Sequence, residues 1–234
     1  MQPNKLVSRQ EWQAARRELL QREKAHTRER EALAQARREL PWVEVGRTYQ
    51  FQTERGVEEL RDLFGGCSQL IVYHFMFGPD WREGCPSCSF WADTYDGALP
   101  HLAARDIRLV AVSRAPLATL HAYRVRMGWG FDWVSTVGSD FNREFAVSFP
   151  GGGEEPAQPN YNFATQVCKG EEAPGLSVFY RDGSTVYHTY SCYARGLDML
   201  NSTYQHIDLV PRGRDEQGLP WPMAWVRRHD EYGQ

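Results

Sequence analysis

One stretch constrains this chain more than any other. Residues Leu70–Phe77 (LIVYHFMF) are apolar or aromatic except for His74, as expected of a strand buried on both faces of a sheet. The loop Gly78–Gly84 follows and delivers Cys85-Pro86-Ser87-Cys88 to a helix-forming segment that opens near Ser89. Strand, loop, C-x-x-C and helix, in that order, put two thiols at a helix N-terminus. Unpaired N–H groups and the helix dipole favour a thiolate there. Pro86 suits the first turn, where its missing N–H costs nothing. Cys85 is then the accessible nucleophile, and Cys88, one turn on and more buried, is placed to resolve a mixed disulfide.

The rest of the chain from residue 41 alternates strand and helix patterns. Arg108–Ser113 reads as a second buried strand, and Leu117–Met127 as a helix stopped by Gly128. Val43–Phe51 reads as extended, Gly56 as a turn, and Val57–Phe64 as a short amphipathic turn or helix ended by Gly65-Gly66. Ser89–Ala104 reads as one helix offering Phe90, Trp91, Ala98, Leu99 and Leu102 to the core, and Leu197–Asp208 as a final amphipathic helix. Leu176–Tyr180 and Thr185–Tyr190 flank Arg181-Asp-Gly-Ser184, a hairpin signal. Pro150–Asn160 is Gly/Pro-rich and marks a loop insertion near 150–162. The tail, with Pro220-Trp-Pro-Met-Ala-Trp225, is aromatic and must pack on something. These patterns describe an α/β domain over 41–234, built from βαβ units with helices flanking a central sheet.

Residues 1–40 are different. Ten Lys and Arg against six Glu give this arm a net +4, so the remainder carries −7 within a total of −3. Ser8-Arg-Gln-Glu11 has capping-box spacing, and strong helix formers follow until Pro41. Trp12, Ala15, Leu19 and Leu20 form an apolar stripe, continued weakly by Leu33, Ala36 and Leu40. With its charges interleaved, the arm reads as a solvated helix that lays this stripe either on its own domain or on a second subunit, the latter giving a homodimer through this arm. The near-neutral total gives no general attraction to nucleic acid or anionic membrane. No stretch approaches the ~18 apolar residues of a membrane span. The start has no apolar core or small-residue cleavage site, so a cytoplasmic protein is expected.

Five cysteines, Cys67, Cys85, Cys88, Cys168 and Cys192, do not suggest a secreted disulfide framework. A structural zinc site needs a second C-x-x-C or an H-x₃₋₅-H pair, and none follows, so no metal or cofactor is expected. Cys67, Cys168 and Cys192 lie in no motif. His74, inside the buried strand, reads first as a hydrogen-bonded core residue and second as a proton shuttle. Tyr73, Trp81 and Trp91, with Tyr95, surround the pair with aromatics, and Arg82 is a cation near Cys85 able to favour its thiolate.

The segment Tyr73-His-Phe-Met-Phe-Gly-Pro-Asp-Trp-Arg-Glu-Gly-Cys-Pro-Ser-Cys-Ser-Phe-Trp-Ala-Asp93 resembles the signature of a bacterial thioredoxin-like family, domain of unknown function 899. Leu109–Pro116, Glu172–Tyr180 and Tyr193–Leu200 resemble it too. The resemblance implies a thioredoxin-like fold in its peroxiredoxin-like variant, with a mixed central sheet and an N-terminal helical arm. It also places Pro174, just before the strand Leu176–Tyr180, where thioredoxins carry a cis-proline that faces the cysteine pair and helps hold substrate. Two departures stand out. The loop before the motif is longer than in thioredoxins, and position 82 is arginine where peroxiredoxins need Thr or Ser three residues before their peroxidatic cysteine.

The residues therefore point to a thiol–disulfide oxidoreductase acting through Cys85 and Cys88, with Pro174, Trp81, Trp91, Tyr73 and Arg82 lining the substrate site. Its partner would be a thiol or disulfide protein or a small molecule. A second reading has Cys85 add to and leave a small conjugated substrate as an isomerase does. A third has the chain bind a partner or sense oxidants.

Overall fold

The computed structural model describes residues 5–149, 160–165 and 170–233. The chain divides into two compact units, Met1–Pro41 and Trp42–Gln234. The first holds helix α1 (Arg9–Arg38). Its capping box forms as the spacing predicts: the Glu11 N–H donates to Ser8 Oγ at 3.2 Å, and the Ser8 N–H donates to Glu11 Oε2 at 2.9 Å. No residue of α1 is buried.

The second unit is built on strands β1 (Val43–Glu44), β2 (Gln50–Thr53), β3 (Gly56–Glu59), β4 (Gln69–His74), β5 (Ile107–Ser113) and β6 (Asp132–Ser135). Then come the short β7 (Asn160–Tyr161) and β8 (Ala164–Thr165), and the long β9 (Gly175–Asp182) and β10 (Thr185–Tyr193). Its helices are α2 (Pro86–Ala92), α3 (Leu99–Ala103), α4 (Leu117–Met127), α5 (Phe141–Glu144) and α6 (Ser202–Ile207). Eight strands join in the order β1-β10-β9-β4-β5-β6-β2-β3, while β7 and β8 pair with each other.

Strand β4 runs through the middle. It is parallel to β5, with Val72 opposite Val110, and antiparallel to β9, with Val72 opposite Ser177. Parallel β4, β5 and β6 joined over helices, followed by the antiparallel β9–β10 hairpin, give the mixed, thioredoxin-like sheet. Gly183, at φ +56°, makes the hairpin turn. Alternation along β4 divides the core. Leu70 and Val72 join Phe64, Val110, Phe141 and Phe179 on one face. Tyr73 and Phe75 join Trp91, Leu120, Tyr123, Trp133 and Tyr204 on the other.

Three elements differ from the sequence pattern. The single helix expected over Ser89–Ala104 is broken into α2, a 3₁₀ turn at Asp96–Ala98 and α3. Pro100 cannot continue a helix from the preceding turn, so it opens α3 instead. At the break, Asp93 accepts from Trp129 Nε1 at 2.8 Å and Asp96 accepts from the Gly130 N–H at 2.7 Å, contacts a continuous helix would not aim. Residues 57–59 of the expected turn or helix lie in strand β3, hydrogen-bonded to β2, before a 3₁₀ turn at Asp62–Phe64. The last expected helix is likewise split, a 3₁₀ stretch Ala194–Leu200 giving way to α6, whose first turn Asn201 caps through the Tyr204 N–H at 2.9 Å. Most of the insertion near 150–162 lies outside the described residues. Among those described, no helix is long and apolar enough to cross a membrane.

His74 lies on the face of β4 opposite the thiols, fully buried and stacked on Phe141 and Phe145. Its Nδ1 is 3.2 Å from Asn142 Oδ1, and its Nε2 is 2.9 Å from Ser177 Oγ. Ser177 Oγ meets Ser191 Oγ at 2.8 Å, and His188 Nε2 reaches Ser191 Oγ at 2.7 Å. A neutral ring with its proton on Nδ1 satisfies this chain: it donates to Asn142, and Nε2 accepts from Ser177. Burial pushes the His74 pKa down to about 4 against the 6.5 of a free imidazole. Because the folded value is the lower one, the contribution to stability is whole above pH 6.5 and is lost as pH falls toward 4. We predict that denaturant titrations between pH 7 and pH 5 show the wild-type protein losing about 2 kcal/mol more than His74→Gln. Equal pH slopes for the two proteins would contradict the buried neutral ring.

Candidate thiol site

The backbone beyond β4 stays extended and pinned. The Phe75 N–H donates to the Val112 carbonyl at 3.0 Å, and the Ala115 N–H donates to the Phe77 carbonyl at 2.9 Å. After the loop, the Cys85 N–H donates to the Met76 carbonyl at 3.2 Å, so the chain folds back on itself before α2 begins. Gly84 makes this return possible. A Cβ there would lie 2.7 Å from Phe75 Cε1 and 3.0 Å from Tyr123 Cε1, closer than packed carbon atoms approach.

The C-terminal segment holds the turn from outside. Arg228 Nη2 donates to the Gly84 carbonyl at 2.9 Å and pairs with Glu83 at 3.1 Å, while its Nε donates to Tyr123 Oη at 2.9 Å. Tyr123 and Ser89 hydroxyls are 2.9 Å apart, and Ser89 Oγ donates to the Cys85 carbonyl at 3.0 Å. Donation therefore runs one way, from Arg228 through Tyr123 and Ser89, and both carbonyls flanking the Cys85 nitrogen and α-carbon are held. Sequence reasoning missed Arg228, Tyr123 and Ser89, because nothing local links residues 89, 123 and 228.

The two thiols are unlike. Cys85, at the N-cap of α2, is half-buried, whereas Cys88 is only 2% exposed. The neutral Cys85 side chain closes no cap hydrogen bond. Its thiolate is favoured first by the Cys88 S–H, then by the N–H groups of Cys88 and Ser87 and by the Ser87 hydroxyl. These outweigh burial and hold the Cys85 pKa down at about 7. Because α2 has only seven residues, this is the work of nearby donors more than of a long helix dipole. Burial pushes the Cys88 thiol well up, and the Cys85 sulfur beside it adds to the effect. Cys88 Sγ accepts from the Met76 N–H at 3.5 Å, and Tyr73 Oη donates to the Cys88 carbonyl at 3.4 Å.

A cavity of about 240 Å³ opens beside Cys88. Tyr73 and Met76 from the β4 segment, Ser87 and Trp91 from α2, and Pro174 line it on the sheet side. Leu197, Tyr204, Pro222 and Met223 close it from the C-terminal side, so the aromatic tail packs against the thiol pair. Four of the residues expected around the site, Tyr73, Cys88, Trp91 and Pro174, thus share one cavity. The bond preceding Pro174 is trans, which corrects the cis form implied by the thioredoxin resemblance. Trans is the favoured form of an X–Pro bond, and the residues on either side are already paired with it in place: the Ala173 N–H donates to the Val147 carbonyl at 2.9 Å, and Gly175 lies in β9 opposite His74. Trp91 also ties α2 to the segment after β10, its Nε1 donating to the Leu197 carbonyl at 2.8 Å.

Trp81 and Arg82 lie elsewhere. Both are exposed; the Trp81 indole covers Gly78, and Arg82 is absent from the groups that favour the Cys85 thiolate. Cys67 sits in the loop before β4, its carbonyl accepting from Arg181 at 3.0 Å. Cys192 is buried in the same core cluster as Cys88, and Cys168 lies outside the described residues. Among the described residues, no group of three or more His, Cys, Asp or Glu gathers as metal ligands would.

A thiol pair heading the helix that follows the central strand of a mixed sheet defines a thioredoxin-like protein with a C-x-x-C motif. The chain belongs to the bacterial family of unknown function DUF899, whose model matches residues 1–232. It is similar in structure to peroxidoxin BcpB from Mycobacterium tuberculosis, at 11% identity and a TM-score of 0.47 over 69% of this chain and 94% of that one. It is also similar to peroxiredoxin Q from Xanthomonas campestris, at 14% identity and a TM-score of 0.42 over 67% and 90% of the two chains. The mitochondrial 2-Cys peroxiredoxin from Plasmodium falciparum gives 12% identity and a TM-score of 0.42 over 70% and 90%. At such identities the likeness concerns fold alone. No functionally curated protein matches the chain.

Cys85 ionising near 7 has a direct readout. Carbamidomethylation of Cys85 by iodoacetamide, followed by peptide mass spectrometry, is predicted to rise with a midpoint near pH 7. In Cys88→Ala, which removes the main donor, the midpoint moves up by about one unit, while Cys88→Ser keeps a donor and moves less. A wild-type midpoint at the ordinary thiol value, about 8.5, would remove the basis for an activated Cys85.

Proposed function

We propose that the protein is a thiol–disulfide oxidoreductase working through Cys85 and Cys88. The observation that carries the reading is the asymmetry of the pair: a half-buried Cys85 ionising near 7, donated to by a buried Cys88 that keeps its proton. Cys85 thiolate attacks one sulfur of a substrate disulfide, forming a mixed disulfide as the other substrate sulfur leaves as thiolate. The charge on Cys85 is consumed in that step, and with it one of the causes that hold the Cys88 pKa up. Cys88 then gives its proton to the departing thiolate and attacks Cys85 Sγ. The second substrate thiolate leaves, the Cys85–Cys88 disulfide forms, and two electrons have passed to the substrate. A second thiol or a reductase returns the pair to its reduced state.

The isomerase-type reading, in which Cys85 adds to a conjugated substrate, has less support. It uses Cys85 alone and leaves the buried Cys88, whose S–H is the first of the groups favouring the Cys85 thiolate, without a chemical role. A purely sensory role needs the same disulfide chemistry and differs only in what is reduced.

The test is differential alkylation with mass spectrometry across glutathione buffers of defined potential. The expected result is one two-electron transition linking Cys85 and Cys88, abolished in Cys88→Ser, where a mixed disulfide on Cys85 accumulates instead. Two thiols that never pair at any potential would overturn the proposal.

A further inference from the structure

The cavity beside Cys88 has a chemical character of its own. Its charged neighbours are spent on each other. Arg214, lying 3.8 Å above the Tyr204 ring centroid, pairs with Asp198 at 2.9 Å and with Asp208 at 2.8 Å. Glu216 Oε1 accepts from Tyr204 Oη at 2.5 Å, Trp225 Nε1 at 2.8 Å and the Met223 N–H at 3.1 Å. These bonds hang the tail over the opening, and the remaining charged residue of the rim, Arg195, is turned largely to solvent and pairs with Asp198 at 3.4 Å. What faces inward is apolar or aromatic, from Met76, Trp91, Leu197 and Met223. An anion would meet two guanidiniums already paired with carboxylates, and a cation would have to compete with Arg195 and Arg214 for Asp198 or break the hydrogen bonds that hold Glu216.

Size narrows the occupant further. An apolar cavity of about 150 Å³ takes benzene. At about 240 Å³ this one fits a molecule of about two fused rings. The Trp91 and Tyr204 rings, packed edge to face on each other with centroids 6.1 Å apart, give such a ring system an aromatic wall.

We propose that this cavity binds an uncharged aromatic or apolar molecule of about two-ring size, presented to the thiol pair from the Cys88 side and enclosed by the tail that Glu216 holds. The binding claim stands on the cavity alone. That the bound molecule carries the sulfur group reduced by the pair rests on the dithiol reading above. The substrate class is then a small apolar disulfide, its ring seated against Trp91, in preference to the extended surface of a protein.

Calorimetric titration of the full chain with 2-naphthol, and with 2-naphthoate as its charged counterpart, tests the binding. Saturable 2-naphthol binding is expected, with 2-naphthoate at least tenfold weaker. Met223→Trp and Leu197→Trp, which fill the cavity from two independent walls, should each weaken 2-naphthol binding at least tenfold while far-UV circular dichroism confirms folding. A second measurement needs no cavity substitution: 2-naphthol should slow alkylation of Cys88 in Cys85→Ser. No binding to the folded wild-type protein, binding unchanged in both filled variants, or 2-naphthoate binding as tightly as 2-naphthol would each overturn the proposal, whether or not the disulfide forms. Binding as expected in a protein whose two thiols never pair would uphold the cavity and sink the dithiol reading instead.

Discussion

Burial of β4 on both faces is the constraint on which the rest of the second unit depends. A strand paired on both edges and covered on both faces has nowhere to slip, because a one-residue shift would carry every side chain to the wrong side. Tyr73 and Phe75 are thereby committed to the face that receives α2, and His74 to the opposite one. The Met76 backbone, carried out from the strand end, offers its carbonyl to the Cys85 N–H and its own N–H to Cys88 Sγ. One residue at the end of a rigid strand so fixes both thiols. Placing reactive groups on such an element gives a precision that a loop alone would not.

Rigidity from the strand is completed by a second anchor at the far end of the chain. The Gly78–Gly84 loop has little apolar surface to hold it, and Arg228 fixes its last carbonyl while engaging Tyr123 on α4. Arg126 on α4 pairs with Glu83 at 2.5 Å and with Asp230 at 2.7 Å, so the loop, the helix and the C-terminal segment share one ionic cluster. Exposed pairs of this kind add about 0–1 kcal/mol each. Their value here is geometric: they set where the Cys85 turn sits.

How much of this was legible in the sequence follows from the range of each interaction. Strands β4 and β5, helix α4, the β9–β10 hairpin and the position of the C-x-x-C motif are written in local periodicity and in glycines next to their elements, and they appear where the pattern puts them. The partners that hold the interruption at Asp93–Asp96, Trp129 and Gly130, lie far along the chain and are not legible locally; the cap of Asn201 on the Tyr204 N–H is local, but the apolar periodicity running across it hides it. Pro100 was a local signal for the first break and was outweighed by the apolar periodicity around it. The aromatic neighbourhood of the thiols was partly legible. Tyr73 and Trp91 share the cavity because they lie on regular elements, whereas Trp81 and Arg82, on the loop, were judged only by closeness in sequence. Pro174 lines the cavity beside Cys88, and its peptide bond is trans. Glu216 and Arg228, which decide how the tail meets the site, carry no local motif at all.

The burial of Cys88 links the thiol chemistry to the tail. A thiol this deep resists ionisation, which keeps it a donor to Cys85 and so lowers the pKa of its partner. Exposing Cys88 to water would weaken the asymmetry from both sides, since its own pKa would fall and its hydrogen bond to Cys85 would compete with solvent. The apolar walls contributed by Leu197, Tyr204 and Met223 therefore do two things at once: they shape a cavity and keep the Cys88 thiol dry. That dual role gives a physical reason for carrying the chain past β10, where Leu197, Tyr204 and Val226 join the same core cluster as Cys88. An uncharged occupant of the cavity would leave Cys88 dry and so keep the difference between the two thiols, whereas a cation there would lower the Cys88 pKa and blunt it.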